Sequence, residues 1–305
     1  MEGSPFHKYG EADVRYLLEN EQLKVEIDSF GAEVKSVQRK SDAREYMWCG
    51  DKKYWGRTSP VLFPFVGVPK DKEYRYEGKT YSMGQHGFAR DMEFTLEKQG
   101  KDEIWFVLHE TEETLAKYPF TFTLHIGYRL LKNELTVCWK VENTNKKEMY
   151  FSIGAHPAFN CPLQGEADKN GYGLRFGGLT DTLHHHGNTK DGLAIMEDEV
   201  LPLKDGCVTF TSGFFDRCTY MVEGAQTKEV SLLDQTGASY VIVSFDTPLF
   251  AVWSPEEKNA PFVCIEPWYG RCDAVDFNGT LQERDYENRL EAGKTFETEY
   301  QIRFC

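Results

Sequence analysis

The segment "FTFTLHIGYRL" sets Phe120, Phe122, Leu124, Ile126, Tyr128 and Leu130 at every second position. Side chains alternate in this way along an extended strand with one buried face. "ELTVCWKVEN" repeats the pattern through Leu135, Val137, Trp139 and Val141, and "EMYFSIGAH" follows after "TNKK". The breaks "LKNE" and "TNKK" are of hairpin length, so residues 120–156 read as an antiparallel meander. Further strands are expected at "LKVEIDS", "AEVKSVQR", "EFTLEKQ", "IWFVLHE", "CVTFTS", "EVSLLDQ", "YVIVSF", "FAVWS", "FVCIEP" and "FETEYQIRF". Helical periodicity is confined to "ETLAKY" and the segment 281–291. Strands recurring every eight to twelve residues or so indicate an all-β sandwich or barrel rather than alternating β–α units. With no internal repeat and no linker-like tract, residues 1–305 are expected to form one β domain. Region 162–206, which includes "LHHHGNTKDG", is the least regular and is expected to hold long loops.

Composition narrows the class of partner. The chain has 305 residues, 40% of them hydrophobic, which is enough for a large buried core. A net charge of -14 opposes binding to nucleic acid or to an anionic membrane, whereas a neutral small molecule is indifferent to it. No apolar run reaches the length of a spanning helix, and "MEGSPFHKYGEADVRY" lacks the apolar middle section of a secretory signal. The eight cysteines are scattered with no C-x-x-C pair, a pattern that favours reduced thiols in the cytoplasm over a disulfide framework or a zinc site. Oligomeric state leaves no signature.

Three places bring polar chemistry to strand ends. "GQHGFARD" holds His86 and Arg90 on glycine-bounded backbone, which suits either close approach of a ligand or a solvated turn. "SIGAHPAFN" puts His156 directly before Pro157, where the ladder cannot continue. By alternation His156 shares a face with Tyr150, Ser152 and Gly154, consistent with a polar pocket or with a histidine tied to a turn. "CIEPWYGRCDA" places Glu266 in an apolar strand, on the face opposite Val263 and Ile265. A carboxylate there is costly unless used or paired, for example with Arg271; Trp268 and Tyr269 beside it are suited to the C–H face of a sugar. Two imidazoles and a carboxylate can both take and give a proton at neutral pH.

"QHGFAR", "SIGAHPAFN" and "IEPWYGRCD", in this order, resemble the aldose 1-epimerase (mutarotase) family, in particular its lactose-operon-type bacterial branch. The likeness runs from "LENEQLKVEIDSFGAEVKSVQRK" through "SPVLFPFVG" to "LEAGKTFETEYQIRF". It implies an antiparallel β supersandwich, a small sugar as partner, and neither cofactor nor metal. It also implies Glu266 as general base, His156 as general acid and His86 as a histidine that binds and polarises the sugar. Asp216 in "FFDRCTY", Arg57 in "WGRTSPVLFP" and Arg90 are implied as sugar contacts, beside Trp268, expected at the sugar from its place next to Glu266. Many relatives carry arginine just after "FPxVG", where this chain has Val68.

Exchanging anomers requires the C1 hydroxyl to lose a proton while the ring oxygen gains one, so one base and one acid suffice. Two other readings use the same residues. A hexose-phosphate 1-epimerase would clamp phosphate with Arg57 and Arg90, and a silent carbohydrate-binding protein would use Glu266 only as an acceptor. A glycosidase pairing Asp216 with Glu266 leaves the histidines without a task. In the run His184 to His186 only the outer two share a strand face, without a partner at ligand spacing, and no metal is expected there. Asp273 and Asp276 read as turn residues, and "MEDE" as a solvated loop.

Overall fold

The structure, a computed structural model, describes residues 15–163 and 168–305. Two large antiparallel sheets dominate it. One has nine strands, in the order Cys207–Thr209, Gly173–Phe176, Glu229–Leu233, Ser239–Phe245, Thr295–Phe304, Glu134–Asn143, Phe122–Leu131, Glu103–His109 and Thr95–Gln99. The other runs Ala194–Pro202, Thr182–Asn188, Tyr220–Glu223, Leu249–Trp253, Phe262–Tyr269, Ile153–Ala155 and Val61–Leu62, with Ala158–Asn160 also paired to Phe262–Tyr269. A four-stranded sheet over Arg15–Glu45 and two short two-stranded pairs complete the architecture.

Period-2 alternation builds the core. Leu124, Ile126, Val137 and Val141 from the nine-stranded sheet share one apolar cluster with Phe250, Val252, Val263 and Ile265 from the other. The opposite parity of those last strands, Leu249, Ala251, Cys264 and Trp268, belongs to two smaller clusters on the far face of the eight-stranded sheet. Glu266 lies on that far face, between the two clusters, so a buried carboxylate is kept out of the main core.

The all-β class holds, with three local corrections. Phe122–Leu131 and Glu134–Asn143 do form a hairpin. The third strand leaves the expected meander, because buried Asn143 donates to the carbonyls of Lys147 and Leu290 and draws Met149–Phe151 onto Asn288–Leu290. "ETLAKY" is helical over Glu112–Lys117, capped reciprocally by Thr111 and Thr114. Segment 281–291 gives only a turn at Leu281–Glu283 and then a strand, Asn288–Leu290. Region 162–206 contains three strands rather than long loops, although residues 164–167 lie outside the described residues.

Asp273 is more than a turn residue. Its Oδ1 accepts from Arg284 Nε at 2.7 Å, its Oδ2 from the Lys70 amide at 2.8 Å, and its own amide donates to Val68. Arg284 also donates to Glu287 at 2.6 Å and to the Arg271 carbonyl at 2.7 Å. This network is buried and pins segment 270–287 against residues 67–70. Burial pushes the Glu287 carboxyl up to about 7 despite Arg284 beside it. Replacing Arg284 by methionine strands two buried acids, and we expect a loss of about 3–5 kcal/mol in urea unfolding.

Candidate active site

Pro157 creates the site. Ile153–Ala155 and Ala158–Asn160 both pair with Phe262–Tyr269, Gly154 opposite Trp268 and Ala158 opposite Cys264. Counting along that register brings His156 level with Glu266, in the one stretch where the ladder is interrupted. A proline has no amide to donate, so the chain steps out of the ladder there. On the other side of Glu266 stands Ala251, whose small side chain leaves room above the sheet. Gly154 is required for the same reason: a Cβ there would lie 2.6 Å from the Trp268 ring. The result is a contact of 3.3 Å between His156 Nε2 and Glu266 Oε2, off the line of a hydrogen bond.

His86 reaches the same place from a loop. Its φ is +65° and that of Gly87 is +69°. A Cβ on Gly87 would fall 2.2 Å from the Phe63 carbonyl oxygen, whereas one on Gly84 would meet nothing. Only the second glycine of "GQHG" is therefore obligatory. His86 donates its amide to the Gly67 carbonyl at 2.7 Å, and the Gly67 amide donates to His86 Nδ1 at 3.0 Å. Nδ1 is thus an acceptor, and in the neutral ring Nε2 carries the hydrogen. Burial, with Arg90 and His156 adding to it, holds the imidazole well below its ordinary value, so His86 is a neutral donor. Its ring meets that of His156 edge to face at 5.6 Å.

These groups open into a cavity of about 450 Å³ lined by His86, Arg90, His156, Glu266 and Trp268 among others. Glu266 is 1% exposed and neither of its oxygens has a hydrogen-bond partner. Burial drives its carboxyl well above the usual range, and the Trp268 indole offsets this only in part; that indole N–H itself donates to the Ala155 carbonyl at 3.2 Å. Burial, then Arg90, lowers His156 to about 3. Arg90 Nε is likewise buried without an acceptor. Unmatched buried donors and acceptors are rare in folded proteins, and of the eight such side-chain atoms among the described residues four belong to Arg90, His156 and Glu266 of this cavity. Arg271 does not pair with Glu266. It is bound to Glu223 at 2.6 Å and Asp285 at 2.5 Å, so it gives no reason for a lowered carboxyl.

Residues 14–303 match the family model for aldose 1-epimerase. The chain belongs to the aldose 1-epimerase family. The chromosomal LacX protein of Lactococcus lactis subsp. lactis is 28% identical, over 93% of this chain and 97% of that protein. A galactose mutarotase related enzyme from Lactobacillus acidophilus is 34% identical with a TM-score of 0.89, over 96% of this chain and 97% of that one. A galactose mutarotase-like protein from Lactobacillus casei ATCC 334 is 30% identical, also with a TM-score of 0.89, over 96% and 100% of the two chains.

For a member of the aldose 1-epimerase family, two residues expected at the sugar lie elsewhere. Arg57 does not line the cavity: it donates to Asp91 at 2.6 Å and to the Arg90 carbonyl at 3.3 Å, bracing the turn behind Arg90. Asp216 is exposed beside a separate cavity of about 170 Å³, where its Oδ1 accepts from the Glu257 amide at 3.0 Å. It holds the loop whose neighbours Glu256 and Lys258 line the main cavity. Trp55, Trp253, Asn188 and Thr219 also line it and are not singled out by the sequence; Trp55 begins "WGRTSPVLFP", where the resemblance points to Arg57. His184 and His186 are bonded across the strand pair to Asp198 and to the Glu197 carbonyl. Among the described residues, His156, Cys264 and Glu266 bring imidazole, thiol and carboxyl atoms within 4.8 Å. Burial and Glu266 push the Cys264 thiol well up. We assign no metal to it.

The two loop glycines make a paired test. Gly87→Ala should cost more than about 1 kcal/mol in chemical denaturation, since both its φ and the Phe63 carbonyl oppose a side chain. Gly84→Ala should stay within about 0.5 kcal/mol of the parent.

Proposed function

We propose that the protein is an aldose 1-epimerase that interconverts the α and β anomers of a free hexose, with Glu266 and His156 as the proton-transfer pair. What carries this reading is that Glu266, His156 and Arg90, each holding a buried side-chain atom without a hydrogen-bond partner, line one cavity. O1 and O5 of a hemiacetal hang on the same carbon, so a base and an acid serving them must stand side by side, as these two do at 3.3 Å. At about 30 Å³ per water the cavity holds roughly fifteen, ample for a pyranose. His86 Nε2–H polarises a sugar oxygen, Arg90 donates to another, and Trp268 supplies an apolar floor.

Ring opening takes a proton from O1 onto Glu266 and passes one from His156 to O5; the aldehyde rotates about C1–C2, and closure reverses both transfers. The pair thus holds one proton throughout, on His156 before opening and on Glu266 after it. In the empty cavity the shared proton rests on the carboxyl, because burial raises Glu266 and depresses His156. The productive carboxylate–imidazolium form is a minority tautomer of the same one-proton state.

A phosphorylated sugar fits less well. Of the two arginines such a clamp would use, Arg57 is committed to Asp91. The cationic lining of Arg90, Lys190 and Lys258 is offset by Asp191 and Glu256. Polarimetry of freshly dissolved α-D-glucose and α-D-galactose, beside hexose 6-phosphates, tests the reading. Faster relaxation of the free sugars is expected; acceleration of the phosphates alone would refute the free-sugar assignment, and no acceleration of any sugar the catalytic one.

Two variants follow. Glu266→Gln should lower kcat at least about 100-fold with sugar affinity largely retained. The pH dependence has a defined sign. A second proton must go onto His156, near its lowered value of about 3, and the last one leaves Glu266 well above 4.5, so kcat/KM is a bell whose alkaline limb belongs to the carboxyl. In His156→Asn only the base remains, and the residual rate should rise with pH as Glu266 ionises, its midpoint well above 4.5. A midpoint at the ordinary carboxyl value would contradict the raised Glu266.

A further inference from the structure

Histidines that move protons are ordinarily oriented by a hydrogen bond to the other ring nitrogen, given by a carboxylate or a carbonyl. His156 lacks one. Its Nδ1 is buried and bonded to no other residue; its own main chain is the polar group close by. Rings surround it instead. Trp55 lies over the imidazole at 4.6 Å with 28° between the planes, and Trp253 meets it edge-on at 5.3 Å and 88°. Trp55 also lies nearly parallel to Phe262, 5.9 Å away at 30°, and Phe262 to Trp48 at 4.8 Å and 29°. Trp253 meets Trp55 edge-on as well, at 5.6 Å. The backbone of Trp55 is fixed at both ends, its amide donating to the Asp51 carbonyl at 3.0 Å and its carbonyl accepting from Trp48 Nε1 at 2.9 Å.

We propose that Trp55 is the positioning residue of His156: its indole face replaces the missing hydrogen-bond partner, fixes the imidazole beside Glu266 and favours its protonated form. An indole face presents negative potential to a cation above it. The other groups around His156 act in mixed directions. Arg90 and Arg57 disfavour a charged ring, His86 is neutral, Glu266 in its ionised form favours it, and the Cys264 thiol is uncharged. Among these, Trp55 is the contact that stabilises the imidazolium without itself needing a charge. The inference deepens the anomer-exchange reading and rests on it, because the protonated ring is the form that gives O5 its proton.

The test compares the parent with Trp55→Leu and Trp55→Phe. Anomer relaxation gives kcat and KM, and proton–carbon NMR of histidine-labelled protein gives the His156 titration. Trp55→Leu should lower kcat about tenfold, hold KM within about twofold and move the His156 midpoint down by about one pH unit, with Trp55→Phe in between. An unchanged kcat and midpoint overturns the proposal. So does a rise in KM alone, which would make the indole merely a platform for the sugar. Should Trp55→Leu not fold, fluorinated tryptophan placed at position 55 keeps the shape and drains the face of charge. A midpoint that falls with each added fluorine supports the role, and one that does not move overturns it. If the parent accelerates no sugar, the anomer-exchange reading fails while the titration still decides what Trp55 does.

Discussion

A single break in a β-ladder makes the site possible. Two strands, Ile153–Ala155 and Ala158–Asn160, share Phe262–Tyr269 as partner, and His156-Pro157 is the gap between them. In an unbroken ladder, side chains opposite one another are held at a spacing set by the pleat. With the ladder interrupted but its register kept, the imidazole leans over the sheet until it is 3.3 Å from the carboxyl opposite. The rest of the fold serves that gap. Strand parity sends Val263 and Ile265 into the main core and Glu266 away from it, and Ala251 and Gly154 keep the neighbouring surface low.

The arrangement works against stability. A carboxylate that is 1% exposed and unpartnered and a histidine held near 3 are both costs of the folded state. Polar groups left unmatched in a cavity are what a hydroxylated ligand can match, so cost and function have one origin. The neighbouring ion network is built on the opposite principle. Arg284 pairs with both Asp273 and Glu287, and through Lys70 and Val68 the network holds the backbone next to Gly67, the residue that fixes the His86 tautomer. The paired charges give rigidity beside the unpaired Glu266.

Much of this was legible in the chain. Alternation in "FTFTLHIGYRL" and "ELTVCWKVEN" identified buried faces that the core cluster contains, because a period of two is a local property. Proline after His156 marked a strand end for the same local reason. What escaped was set by tertiary contact. Whether Arg271 would find Glu266 or Glu223 is decided by the course of segment 270–287, and no spacing in "IEPWYGRCD" encodes it. Asp216 and Arg57 stand in motifs like the rest, yet a hydrogen bond to Glu257 and an ion pair with Asp91 take each out of the cavity lining. Trp55 opens "WGRTSPVLFP", yet nothing there ties it to His156, since the stacking joins residues a hundred positions apart.

The division of labour between strand and loop bears on substrate choice. Glu266 and His156, the proposed proton-transfer pair, lie on a central strand and at the gap in its neighbour, where packing on both faces leaves little freedom. The outer lining comes largely from connections: Lys190 and Asp191 between Thr182–Asn188 and Ala194–Pro202, with Asn188 at the strand end beside them, and Glu256 and Lys258 after Leu249–Trp253. Val68, at the position where many relatives carry arginine, is 4% exposed and packs with Leu62, Val66, Met221 and Cys272. A Cβ on Gly192, in the loop above it, would lie 3.3 Å from Val68, so loop and valine have closed together over that space. The cation lost there is not replaced in place. Under the proposed anomer exchange, sugar recognition would fall to Arg90 and the two loops, and exchange of loop residues would change which hydroxyls are read without touching Glu266 and His156 below.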